Sequence, residues 1–466
     1  MKILAVIVNY GSKNDRYLRR LIDEYRTMSH NMHIVVLSNV PKTLDGVEVV
    51  VETPRGDPLS FPFAHKKILA ERLDSYDLFI YSEDDTLITQ KNVDAFVRVS
   101  RALPGGEIAG FLRSEQGADG TRYISTVHGH FHWAPHSVVS RGEYTFAHFT
   151  NEHSAAYILS HAQLARAIHS GGFLVKPHGN RYGLQETAAT DPYTKCGFKK
   201  MICISGIDDF ILPHLPNKYV GKLGLPAPEF RRQLQALGSI QNHTRPRTIL
   251  LNNETKVGLA RWSKSYYEPS SSEVLNLIPA GARRVLSYGC GWGAMEEELM
   301  RRGMRVTAVA LDSVVGICAE ARGVEVIYGD AESALSRLSA ERFDCIVLSN
   351  VLHLMPAPEQ FLSALARLLN PGGAVVATVP NLAQLPVRWL RVRRDPAFMN
   401  LGSYELTGTH VTSYKKVREW FHRAGLRVPT IVPVIPRRAQ WVRRFTGFLF
   451  DGLLAAEFSV LGVRAS

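Results

Sequence analysis

Val285-Leu286-Ser287-Tyr288-Gly289-Cys290-Gly291-Trp292-Gly293 is the stretch whose reading decides the fold of the C-terminal half. A short apolar run passes into glycines at alternate positions, and Glu296, Glu297, Leu299 and Met300 then follow a helical pattern. Glycine accepts positive φ and lets a ligand approach the backbone. The start of the helix offers unsatisfied N–H groups. The apolar run 306–311 ends in Asp312, an acid about 20 residues beyond the turn, where nucleotide-cofactor folds hold ribose hydroxyls.

Further strand patterns follow in order. Val324-Glu325-Val326-Ile327 leads to Gly329, Asp330 and Ala331. The run 343–349 leads to Asn350 and His353, and the run 374–379 follows the turn Pro371-Gly372-Gly373. The region 262–466 resembles the class I S-adenosylmethionine-dependent methyltransferases, above all the small-molecule O-methyltransferases. The resemblance implies that Ser287, Gly289, Cys290, Gly291, Gly293, Asp312, Asp330, Ala331 and Asn350 contact S-adenosylmethionine. It also has a departure, because the family carries an acid where Ser287 stands, near the methionine amino group. A hydroxyl is a poor nucleophile and benefits from a nearby base. His410, in Gly408-Thr409-His410-Val411-Thr412, and His353 are the imidazoles available; the competing reading for each is a structural hydrogen bond.

A chain of 466 residues exceeds one typical core, so two or three domains are expected. With 45% apolar and 21% charged residues it reads as an ordinary globular protein. A formal net charge of +12 favours phosphates, nucleotides or an anionic lipid surface. No recognition motif for nucleic acid accompanies that charge. The five cysteines, Cys196, Cys203, Cys290, Cys318 and Cys345, lack metal-type spacing and read as reduced thiols of a cytoplasmic protein. No run is long enough to span a bilayer. Arginines interleaved with tryptophan at 386–394 and 437–445 suit peripheral contact with a membrane's inner face, or else are solvated faces.

The N-terminal half alternates strand and helix: strand 3–8, helix 15–25, strands 33–37 and 47–51, helix 65–73. This order predicts a parallel α/β sheet with ligands at the strands' C-terminal ends. Asn9, Tyr10, Ser38 and Asn39 occupy such ends. The apolar run 77–82 ends in Glu83-Asp84-Asp85. Three adjacent acids repel unless solvated or bridged, and Mg²⁺ or Mn²⁺ with oxygen ligands would relieve them; the alternative is an acidic turn before a helix. This half, 1–222, resembles a GT-A glycosyltransferase, with Glu83-Asp84-Asp85 in the place of its Asp-x-Asp motif. The resemblance implies a nucleotide-sugar donor near Asn9, Tyr10, Ser38, Asn39 and Asp84. It implies a metal on Glu83, Asp85 and a late histidine, His214. Glu186 and, behind it, Asp191 are candidates to activate the acceptor hydroxyl. His128, His130 and His132 are expected on one face of a strand, lining a sugar-binding wall. Asn151-Glu152-His153-Ser154 is expected to begin a helix, and Trp262–Tyr267 an aromatic helix covering the cofactor pocket.

Prolines, Arg231-Arg232 and the polar run 241–246 mark a change of composition. The expected organisation is a GT-A-like Rossmann-type domain over 1–222, a linker over 223–260 and a seven-stranded methyltransferase domain over 261–466. The reading is a bifunctional enzyme that glycosylates a glycan or lipid-linked glycan acceptor and methylates a hydroxyl, in polysaccharide or glycolipid synthesis. The alternative is a methyltransferase of a small molecule or lipid whose N-terminal half only binds carbohydrate.

Overall fold

The computed structural model describes every residue except Arg55, His128, Lys222, Val442, Arg443, 445–449 and Ser466, and the side chain of Arg438. The chain separates into two compact units. Met1–Val127 and Phe131–Asn242 form the first; His243 onward, joined by Gly129 and His130, forms the second. The stretch 223–260 is therefore divided: the helix Ala227–Gln241 belongs to the first unit, and the residues from His243 to the second.

In the first unit a five-stranded sheet runs in the order Ala156–Ser160, Leu78–Glu83, Lys2–Asn9, Asn31–Ser38, Glu48–Val51. All neighbours are parallel except Ala156–Ser160, which is antiparallel to Leu78–Glu83. Ile3 to Ile7 are fully buried, as a strand covered on both faces requires. The helix Asp15–Thr27 buries Leu18, Leu21, Ile22 and Tyr25, a stripe at helical spacing. Two four-stranded sheets complete the unit. Residues 151–154, expected as a helix start, instead lead into the strand Ala156–Ser160. The helix begins later, at His161, behind a capping box formed by Ser160 and Gln163. The expected histidine strand is not formed either. His128 lies outside the described residues, His130 belongs to the second unit, and His132 turns Nδ1 to the Trp133 carbonyl 2.8 Å away.

The second unit is built on a seven-stranded sheet. Its order is Glu325–Ile327, Arg305–Ala310, Arg284–Cys290, Phe343–Ser349, Leu369–Pro380, Glu457–Arg464, Leu426–Val434. Among the described residues Glu457–Arg464 runs antiparallel to both of its neighbours, Leu369–Pro380 and Leu426–Val434, and the other pairs are parallel. The chain moves outward from Arg284–Cys290 in one direction and then returns to its other side with Phe343–Ser349. That reversal opens a crevice beyond the strands' C-terminal ends, where ligands of open α/β sheets bind. Leu286, Ile346, Leu348, Val375 and Ala377 are fully buried and pack with Leu362, Leu365 and Trp420. Residues 261–268 form turns rather than the expected helix, with Trp262 at φ 64°.

Leu348 is fully buried, whereas Val392 is 82% exposed. Leu348→Ala is expected to lower the unfolding free energy of this unit by about 2–5 kcal/mol, and Val392→Ala to stay within about 0.5 kcal/mol. Urea unfolding followed by amide exchange on the strand residues measures both; equal effects would contradict this packing.

Candidate functional site

The central strand Arg284–Cys290 runs into the glycine turn, and the helix Ala294–Arg301 leaves it. Gly293, the residue before that helix, has φ +92°, a conformation other residues rarely take. Gly291 is needed for a different reason: a Cβ there would lie 2.2 Å from the Tyr266 carbonyl oxygen. That carbonyl accepts a hydrogen bond from the Trp292 amide at 3.0 Å, and Trp292 Nε1 donates to the Glu268 carbonyl at 2.7 Å. The segment 264–269 is thereby strapped across the turn.

A cavity of about 180 Å³ lies under the strap. Ser287, Gly289, Cys290, Gly291, Gly293 and Asn350 line it together, and Lys264, Glu268, Glu296 and Glu457 complete its charged wall. Ser287 Oγ donates to Glu296 Oε1 at 2.5 Å. Lys264 is paired with Glu268, and Asn350 Nδ2 donates to Glu268 Oε1 at 3.4 Å. Asn350 holds φ +51° at the end of its strand, a strained setting for a residue with a Cβ. Burial pushes the Glu457 carboxyl up to about 6, and the charge of Glu268 adds to the shift. Three carboxylates against one ammonium make this cavity a receptor for positive charge.

Other expected residues lie elsewhere. Asp312 is 1% exposed and outside the cavity lining. Its Oδ1 accepts the Val314 and Val315 amides at 2.7 Å each, and burial, with the Asp312 charge behind it, pushes the Tyr266 phenol up. Asp330 caps the helix Ala331–Leu338 by accepting the Ser333 amide at 2.8 Å, and Ala331 accepts a bond from the Tyr288 hydroxyl. Neither imidazole lines the cavity. His353 Nε2 meets the Trp262 carbonyl at 2.7 Å, and burial lowers its pKa to about 4. His410 Nε2 meets the carbonyls of Met355 and Pro356. Both rings are tied to backbone carbonyls, which corrects the expectation that they face an acceptor. The sequence gives Lys264, Glu268 and Glu457 no site role, and Glu296 enters it only as part of the helical pattern after the glycine turn.

Residues 259–431 match the family model described as a methyltransferase domain. The C-terminal unit carries a methyltransferase domain. The chain is 33% identical over 113 residues to a ubiquinone biosynthesis O-methyltransferase of Nitrosococcus oceani, covering 23% of this chain and 48% of that protein. It is 30% identical over 167 residues to a trans-aconitate 2-methyltransferase of Methylobacterium nodulans, covering 34% of this chain and 63% of that one. This chain thus spans about half the length of the curated relatives it matches. A solved SAM dependent methyltransferase from Archaeoglobus fulgidus is 18% identical with a TM-score of 0.31, over 40% of this chain and 87% of that one. The family match bears on the C-terminal unit alone.

In the first unit the strand Leu78–Glu83 delivers its acids to a mostly buried cluster. Asn9 Nδ2 and Asn14 Nδ2 each donate to Asp84 at 2.7 Å. Asn39 Oδ1 accepts the Gly11 amide at 2.6 Å, Ser38 is buried, and Tyr10 is exposed with its ring edge-on to Phe61. Burial, with the charge of Asp85 behind it, raises Glu83 to about 8. Burial likewise raises Asp84 to about 7. Burial also acts on Asp85, but hydrogen bonding and charge from His214, with Arg113 and Lys218, outweigh it and hold that carboxyl below its ordinary value.

His214 Nε2 lies 3.4 Å from Asp85 Oδ2, while its Nδ1 meets Glu115 Oε1 at 2.5 Å. Glu83 Oε1 lies 3.6 Å from His153 Nε2 instead. Among the described residues no group of three or more His, Cys, Asp and Glu is arranged to hold a metal ion. The expected Mn²⁺ or Mg²⁺ set of Glu83, Asp85 and His214 is therefore corrected to an Asp85–His214–Glu115 hydrogen-bonded chain with Glu83 beside it. Glu186 stands in the first turn of the helix Leu184–Thr194, and its charge acts on Glu83. Asp191 is fully buried, bonded to Lys66 and to His178 at 3.1 Å, so it is spent within the fold. Among the described residues no helix is long and apolar enough to cross a membrane. Trp389 and Trp441 of the two arginine runs are exposed, while Val442, Arg443 and Phe445 lie outside the described residues.

A carboxyl with a raised folded pKa stabilises the fold fully below its unfolded value and loses that contribution as pH climbs through the folded one. For Glu83 the window runs from about pH 5 to the folded value of about 8. The stability advantage of Glu83→Gln over wild type is expected to grow across it by up to about 1.4 kcal/mol per pH unit. Thermal or urea unfolding across that range measures the gap; a gap independent of pH would contradict the buried neutral carboxyl.

Proposed function

We propose that the C-terminal unit transfers a methyl group from S-adenosylmethionine to a hydroxyl of an organic acceptor. The observation that carries this reading is the cavity at the glycine turn, walled by Glu268, Glu296 and Glu457. The residues present fit the amino-acid half of the donor, whose ammonium and sulfonium outweigh its one carboxylate, because the cavity is anionic and its glycines admit close backbone approach. Gly289, Cys290, Gly291, Gly293, Ser287 and Asn350 would hold that half, and Asp312, Asp330 and Ala331 its adenosine side. When bound, the donor supplies an electrophilic methyl. The protein's share is to align the acceptor oxygen and take up its proton. Glu457, raised toward neutrality and on the cavity wall, is better placed for that proton than His353 or His410. The O-methyltransferase names among the relatives favour oxygen as the nucleophile.

Wild-type protein is expected to bind S-adenosylhomocysteine in calorimetry and to pass labelled methyl from S-adenosylmethionine to a hydroxylated acceptor. Gly291→Arg, whose Cβ has no room under the Tyr266 carbonyl, is expected to lose both. Wild type that binds neither compound would overturn the reading.

A second reading concerns the first unit. Its parallel sheet with one antiparallel strand, and the acids at the end of Leu78–Glu83, favour a nucleotide-sugar transferase acting on a glycan or lipid-linked glycan. Asn9, Tyr10, Ser38, Asn39 and Asp84 would face the nucleotide, and Glu186 the acceptor. Turnover of one nucleotide sugar by wild type and its loss in Asp85→Ala, followed by released nucleotide, would support it. Equal release by both proteins would sink it and favour a methyltransferase with a carbohydrate-binding first unit.

A further inference from the structure

The charge that grips the donor's ammonium is not on the central strand. We infer that it is Glu296, on the helix after the glycine turn, with Ser287 as its positioning residue; this rests on the S-adenosylmethionine reading above. Ser287 and Glu296 are 4% and 3% exposed and share the 2.5 Å hydrogen bond across the turn. A buried carboxylate is costly unless its charge is met. Among the described residues Glu296 is in no ion pair, since Lys264 is engaged with Glu268. Its side-chain partners are the Ser287 hydroxyl and the Cys290 thiol, whose pKa burial and the Glu296 charge push up. These neutral donors orient the carboxylate without an ion pair to it. Asn350 Oδ1, a buried acceptor without a hydrogen-bond partner, lines the same cavity. A ligand ammonium is a donor of hydrogen bonds only, and it would satisfy both groups together. Strand position 287 carries no charge of its own, so the carboxylate comes from nine residues further on and is held by the hydroxyl left in its place.

The test uses the full chain and two ligands in calorimetry. S-adenosylhomocysteine carries the ammonium; 5′-methylthioadenosine lacks the amino-acid half altogether. Glu296→Gln is expected to weaken S-adenosylhomocysteine by about 10–100-fold, the worth of a charge-assisted bond. The same variant should leave methylthioadenosine unchanged and melt, unligated, within a few degrees of wild type. Adding Ser287→Asp to Glu296→Gln should recover most of the lost affinity. Wild-type affinity for S-adenosylhomocysteine in Glu296→Gln, an equal loss for both ligands, or no rescue by Ser287→Asp would each overturn the assignment while the methyltransferase reading stands. A wild type that binds neither ligand would overturn both.

Discussion

Gly291 has no room for a side chain, and the C-terminal unit's site is built on that constraint. The Tyr266 carbonyl sits where a Cβ would be and takes the Trp292 amide as its donor. This one contact brings the segment before the first strand over the turn that follows it. With the segment come Lys264 and Glu268, and the cavity acquires a wall that the strands alone do not supply. A larger residue at 291 would remove the wall and the turn together. The sheet order places this turn at the switch point between Arg284–Cys290 and Phe343–Ser349, so the constraint acts where an open α/β sheet already offers a crevice.

Electrostatics in the two units follow opposite logics. In the second, carboxylates of the cavity wall outnumber the single lysine that lines it. In the first, the acids after Leu78–Glu83 are met from within: Asn9 and Asn14 hold Asp84, and His214 holds Asp85. Glu83 is raised by burial and by the charge of Asp85, with His153 Nε2 3.6 Å from its Oε1. Burial raises Glu83 and Asp84 while His214 lowers Asp85, so the third acid is set apart in pKa from the other two.

Much of this was legible in the sequence because it is local. The runs 3–8, 78–83, 285–290 and 343–349 are apolar strands ending in turn residues or acids, and period and punctuation suffice to find them. The glycine turn announced itself through spacing. Contacts between distant segments were not legible. Glu457 opens the last strand and Glu268 precedes the first, yet both reach one cavity, and no periodicity links them. Glu296 reads as an ordinary first-turn acid until its bond to Ser287 is seen. His353 and His410 looked available because their backbone carbonyl partners carry no sequence signal. Asp312 had the right spacing, but its own following amides occupy its Oδ1. Residues 151–154 were misread as a helix start because a polar run before an apolar one resembles a cap whether a helix or a strand follows.

The most direct measurement is a crystal structure of the full chain with S-adenosylhomocysteine. The account predicts the ligand's amino-acid half under the 264–269 strap, with its ammonium between Glu296 and Asn350. Ligand bound elsewhere, or an ammonium facing other groups while Glu296 stays engaged with Ser287 alone, would contradict it.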